Sequence, residues 1–119
     1  MTKPELTYKR DLRFSLWVKK KLPDSSTGYL ATDIDFMLYN YKTKKVMFLE
    51  IKTRLLEVEN WQKGVYRDLN RWIRKGIDND WIYLGFHKIT FENTFFDDGK
   101  SFLDNKEISE EELIKFLSF

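Results

Sequence analysis

A chain of 119 residues, 42% hydrophobic and 17% aromatic, is long enough for one core and too short for two, so residues 1–119 read as a single domain. It has no cysteine, which excludes disulfides and thiolate metal sites, and no apolar run near the ~20 residues of a membrane span. The polar N-terminus MTKPELTYKRD does not read as a signal peptide, so the expected setting is the cytoplasm. The net charge of +2 conceals an asymmetry: residues 1–22 carry +5, residues 42–75 carry +6 and residues 76–119 carry −6.

Residues 5–21 read as a helix with Tyr8, Leu12, Leu16 and Trp17 on one side, followed by a loop over 23–28. Residues 30–39 alternate as a strand, with Asp33 and Asp35 on one face and Ile34, Phe36 and Leu38 on the other. A polar turn over 40–44 leads to a second strand over 46–53, in which Glu50 and Lys52 share a face, so the two strands read as an antiparallel hairpin. Residues 57–75 form the clearest helix, with Val58, Trp61, Val65, Leu69, Trp72 and Ile73 as its apolar stripe and Gly76 as its stop. A strand over 81–91, a turn at Asp98-Gly99 and a closing helix behind the capping box Ser109–Glu112 complete the chain. The order α, β, β, α, β, (β), α predicts an α/β sandwich with a mixed sheet.

The charged residues of the hairpin need a reason, because charge set into strand-like sequence is costly unless water, a metal or a partner meets it. Pairing of the strands brings Asp35 and Glu50 together on one face, with Lys52 beside them. Two hard carboxylates with open water positions suit Mg²⁺ or Mn²⁺, which would polarise a phosphoryl oxygen and activate a water. Lys52 would orient that water or offset charge growing on phosphorus. The plainer alternative is an exposed Glu50–Lys52 pair, contributing at most ~1 kcal/mol, with Asp33 and Asp35 as solvated edge charges that deter aggregation.

The spacing Asp35-x₁₄-Glu50-Ile51-Lys52 resembles the PD-(D/E)XK nuclease superfamily, and Gln62-Lys63-Gly64-Val65-Tyr66 resembles the Gln-x-x-x-Tyr motif of its RecB-like branches. Gln62 and Tyr66 are one helical turn apart and so lie on one face. The resemblance, which extends to Holliday-junction-resolvase-like members, implies a restriction-endonuclease-like αβββαβ core with a central mixed β-sheet flanked by helices. It also implies Asp35, Glu50 and the Ile51 carbonyl as metal ligands, Lys52 as the residue serving the nucleophile, and Gln62 as a positioning residue. Ile34 stands where the family has its proline. Asp33, Asp11, Glu5 and Tyr66 are auxiliary candidates.

Lys63, Arg67, Arg71 and Arg74 form one stripe beside Gln62, suited to following a phosphate backbone without reading sequence, and Arg10 and Arg13 belong to a second basic segment. His87, the single histidine, reads as structural, and Trp17, Trp61 and Trp72 read as core. The expected function is a metal-dependent DNA nuclease that leaves a 5′-phosphate, as the resemblance implies. In so short a chain, specificity then rests on a homodimer, a protein partner or the structure of the DNA. The alternative is a non-catalytic DNA-binding or protein-interaction module on the same fold, such as an accessory protein of a phage or mobile element.

Overall fold

The computed structural model describes residues 13–119, so Glu5, Arg10 and Asp11, all read above as site candidates, lie outside the described residues. The chain divides into two compact units, Met1–Asp33 and Ile34–Phe119. In the first, helix α1 spans Arg13–Lys21 and ends on Lys19, Lys20 and Lys21, where cations meet the negative end of the helix dipole. Phe14, Leu16 and Trp17 are exposed rather than buried, and Phe14 stacks on Trp17, itself 48% accessible. A single 3-10 turn follows at Ser25–Thr27, capped by the Asp24 carboxylate on Ser26 N–H and closed by Gly28 at φ 89°.

The second unit is α/β. Strands β1 (Phe36–Asn40), β2 (Lys45–Lys52), β3 (Ile82–Phe91), β4 (Ser101–Leu103) and β5 (Lys106–Glu107) lie side by side in that order in one mixed sheet. Helix α2 (Asn60–Gly76) connects β2 to its parallel neighbour β3, and helix α3 (Glu110–Leu117) closes the chain. The β1–β2 hairpin is antiparallel, and its turn is tied by Asn40 Oδ1 accepting from Lys42 N and Thr43 N at 3.0 and 3.1 Å. Parallel strands need a crossover, and α2 supplies it.

The alternation of β2 sorts the two faces of the sheet. Met47 and Leu49 join Ile89 and Phe91 of β3 and Leu113 of α3 in the apolar core, where Met47 is 1% exposed. Phe48, Glu50 and Lys52 face the other way, toward α2, where Phe48 stacks on Phe86 and Phe86 on Tyr66. A bulge between Val46 and Phe48 gives β3 one extra residue at Leu84–Gly85. Gly85 sits at φ 97°, and a Cβ there would lie 3.3 Å from His87 Nε2 and 3.5 Å from the Arg74 guanidinium.

Three expectations are corrected. The first strand starts at Phe36 rather than at residue 30, so the alternation that put Asp33 and Asp35 on one face does not apply. The ladder stops there because the Asp35 carboxylate, not a backbone carbonyl, takes the Ile51 N–H. Two strands, not three, precede α2, so the described elements do not follow an αβββαβ order. The α2 stripe is also rotated from the expected one. Its buried residues are Gln62 and Tyr66, whereas Trp61 and Trp72 are 40% and 61% exposed. At 100° per residue the Trp61–Val65–Trp72 column lies beside the Gln62–Tyr66 column. The helix lays its polar-tipped column over the half of the sheet that carries Glu50 and Lys52.

Candidate active site

Glu50 is 5% exposed near the end of β2, an unusual depth for a carboxylate. The hairpin register pairs Phe36 with Leu49, and one step further it sets Asp35 opposite Glu50. Asp35 Oδ2 accepts from Ile51 N–H at 2.8 Å. The Tyr66 hydroxyl, brought over the sheet by α2, donates to Glu50 Oε2 at 3.0 Å. Lys52 Nζ, two residues along the same face, lies 3.4 Å from Glu50 Oε1. The sequence-predicted Asp35, Glu50, Lys52 and Tyr66 therefore meet in one place.

Burial raises the pKa of Glu50, and the nearby charge of Asp35 raises it further, against the opposing pull of the Tyr66 hydroxyl and Lys52. A buried carboxylate whose charge a second carboxylate disfavours is a ready seat for a cation.

The hydrogen bonding also sorts the oxygens. Each carboxylate has one oxygen tied to the protein, Asp35 Oδ2 by Ile51 and Glu50 Oε2 by Tyr66. That leaves Asp35 Oδ1 and Glu50 Oε1, the latter in a long contact with Lys52. In an extended residue the N–H and C=O point to the same side, so the Ile51 carbonyl lies on the Asp35 side with its N–H. Two carboxylate oxygens and one carbonyl are a hard, sparse donor set, the kind that holds Mg²⁺ with its waters rather than a caged Ca²⁺ or a Zn²⁺. Among the described residues no group of three or more Asp, Glu or His side chains is assembled, so a cation here would have two carboxylates, the Ile51 carbonyl and water to draw on.

Gln62 is buried one turn before Tyr66, and its amide oxygen accepts from Glu59 N–H at 3.3 Å in a reciprocal capping box that starts α2. Its amide oxygen is thus committed to the helix start. Asp33 is exposed and belongs to the first unit, as does Arg13.

Lys63, Arg67, Arg71 and Arg74 are all exposed on α2. Asp68 partly offsets two of them, lying 3.2 Å from Arg71 and 3.8 Å from Arg67, while Arg74 sits over the Tyr83 ring at 5.2 Å. Lys63 and Arg67 border a cavity of about 360 Å³ that reaches Glu50 and Tyr66 from the β3 side, while Asp35 and Lys52 do not line it. His87 has Asp104 Oδ2 2.6 Å from Nδ1 and the Leu84 carbonyl 2.7 Å from Nε2, ties that brace β3.

Two neighbours of the site were not anticipated. Lys88 and Thr90 of β3 stand directly beside Glu50 and Lys52 in the parallel ladder. Lys88 Nζ donates to Asn105 Oδ1 at 2.8 Å and to Glu57 Oε2 at 3.2 Å. Their signal was present as two polar residues at i, i+2 of the strand, on the face Phe86 shares with α2. The chain matches no protein-family model, no curated protein and no solved structure.

Proposed function

We propose that the chain is a metal-dependent DNA nuclease of the PD-(D/E)XK type on a restriction-endonuclease-like core. The observation that carries this reading is the convergence of Asp35, Glu50 and Lys52, with one oxygen of each carboxylate hydrogen-bonded to Ile51 N–H or the Tyr66 hydroxyl and Glu50 Oε1 left to Lys52. Asp35, Glu50 and the Ile51 carbonyl would hold Mg²⁺ or Mn²⁺. A divalent cation there supplies charge to a phosphoryl oxygen and acidifies an attacking water.

The remaining work belongs to the chain itself. Tyr66 and the Ile51 N–H fix the carboxylates, so no reorganisation is needed when substrate arrives. The Lys52 ammonium sits where negative charge grows as water oxygen bonds to phosphorus and the bond to the 3′ oxygen breaks, leaving a 5′-phosphate. Lys63, Arg67, Arg71 and Arg74 supply a sequence-independent track for the backbone. A homodimer, a protein partner or the structure of the DNA would supply specificity.

The test is a cleavage assay on single-stranded, duplex, flap and four-way DNA in Mg²⁺, Mn²⁺ or EDTA. Cleavage should require the cation and disappear in Asp35→Asn. Binding of DNA without cleavage in either cation would instead assign the chain to the non-catalytic DNA-binding class.

A further inference from the structure

Among the described residues, Thr90 Oγ1 is the one buried side-chain polar atom with no hydrogen-bond partner. The residue is 6% exposed in the last pair of the β2–β3 ladder. Packing does not call for a hydroxyl there, because valine has the same shape, suits a strand at least as well and desolvates no polar group. A buried polar group left without a partner needs an explanation, and a functional role is one of the few available.

Thr90 is the direct neighbour of Lys52 in the parallel register. Paired residues of adjacent strands project to the same face, so Thr90 shares the α2 face with Lys52 and Glu50. Lys52 Nζ lies 3.4 Å from Glu50 Oε1, the oxygen left over once Tyr66 holds Oε2. A cation and the ammonium therefore compete for the same oxygen. The displaced ammonium, on a side chain only 21% exposed, then needs a new acceptor.

We infer that the Thr90 hydroxyl is that acceptor: when a divalent cation takes Glu50 Oε1, Lys52 Nζ–H turns to Thr90 Oγ1 and is held there beside the reacting phosphoryl group. The inference rests on the metal site proposed above and makes Thr90 a positioning residue acting through Lys52. It gives the orphan hydroxyl a partner in the loaded state only. It also lowers the cost of cation binding, because the ammonium exchanges one acceptor for another instead of losing one.

The test is Mn²⁺ affinity measured by calorimetry on the full chain, in wild type, Thr90→Val, Thr90→Ser, Lys52→Met and Lys52→Met/Thr90→Val. Thr90→Val should weaken Mn²⁺ binding about tenfold, the low end of what losing a supporting hydrogen bond around a metal costs. Thr90→Ser should stay within about twofold of wild type, since it keeps the acceptor. In the Lys52→Met background the valine change should have no effect, because a double-mutant cycle isolates the coupling. Thr90→Val should melt in EDTA no lower than wild type, because it removes only an unpaired hydroxyl. If the valine variant does not fold, Thr90→Ser against Thr90→Ala makes the same comparison.

Equal Mn²⁺ affinity in wild type and Thr90→Val overturns the assignment, as does an equal loss in the Lys52→Met background. A wild type that takes no Mn²⁺ at all sinks the nuclease reading itself, and with it this one. The two failures are therefore distinct.

Discussion

The Tyr66 hydroxyl donates to Glu50 Oε2 at 3.0 Å from a ring that lies against Phe86 with 3.9 Å between centroids and 18° between planes. The stacked ring sets the hydroxyl, and the hydroxyl takes Oε2 and leaves Oε1 to Lys52. The crossover helix thus does two jobs: it links parallel strands and orients a buried acid.

Removing that hydroxyl tests the orientation. Tyr66→Phe keeps the stack on Phe86 and should cost about 1.5–3 kcal/mol, the range for a hydrogen bond to a charged group. With Oε2 released, Mn²⁺ affinity should fall roughly tenfold. Urea melts and calorimetry measure the two effects. Unchanged affinity would mean that Glu50 is oriented by its strand alone.

The raised pKa of Glu50 makes a prediction with a definite sign. A glutamate that holds its proton more tightly when folded loses stability as pH climbs from its ordinary 4.5 through the raised value, and the penalty is complete above it. Glu50→Gln carries no such penalty. In EDTA the melting temperature of Glu50→Gln minus that of wild type should therefore grow from about pH 4 upward and then level off. Saturating Mn²⁺ should reverse the order, since the cation stabilises only the chain that binds it. A pH-independent difference would show that Glu50 ionises as freely as a surface glutamate.

Lys52 separates chemistry from affinity. Lys52→Ala should remove most cleavage yet leave DNA affinity within a few-fold, because in the proposed mechanism the ammonium would act mainly on the transition state. Cleavage and filter-binding on the same substrate give both numbers. A parallel loss of both would make Lys52 a general phosphate contact.

The basic stripe of α2 should carry the salt dependence. Each phosphate contact contributes roughly 0.7–0.9 to the slope of log affinity against log salt. Arg67→Ala with Arg71→Ala should flatten that slope by roughly 1.5 for every DNA sequence alike. Melting temperature should change little, because both side chains are more than half exposed and their pairing to Asp68 is a surface interaction. An unchanged slope would place the DNA path elsewhere.

The sequence by itself determined the hairpin, the crossover helix, the following strand and the closing helix. Each rests on a local signal: the polar turn at Asn40–Lys44, the 3.6-residue period of α2, the apolar run Ile82–Phe91 and the Ser109–Glu112 capping box. The motif residues Asp35, Glu50, Lys52 and Tyr66 were legible for the same reason, as fixed spacings along a strand and a helix. Only the tertiary structure decided which column of α2 meets the sheet. Periodicity finds an apolar face, but the sheet beneath carries Glu50 and Lys52, and the helix turns Tyr66 to the buried carboxylate while Trp61 and Trp72 stay exposed. The start of β1 was hidden likewise, because Asp35 ends the ladder by a side-chain bond to Ile51 that no alternation pattern encodes. Lys88 and Thr90 joined the site through the β2–β3 register, a pairing across 38 residues that a bulge at Gly85 shifts by one. Local periods specify elements, whereas register and helix rotation follow from which polar groups must find partners once the elements are brought together.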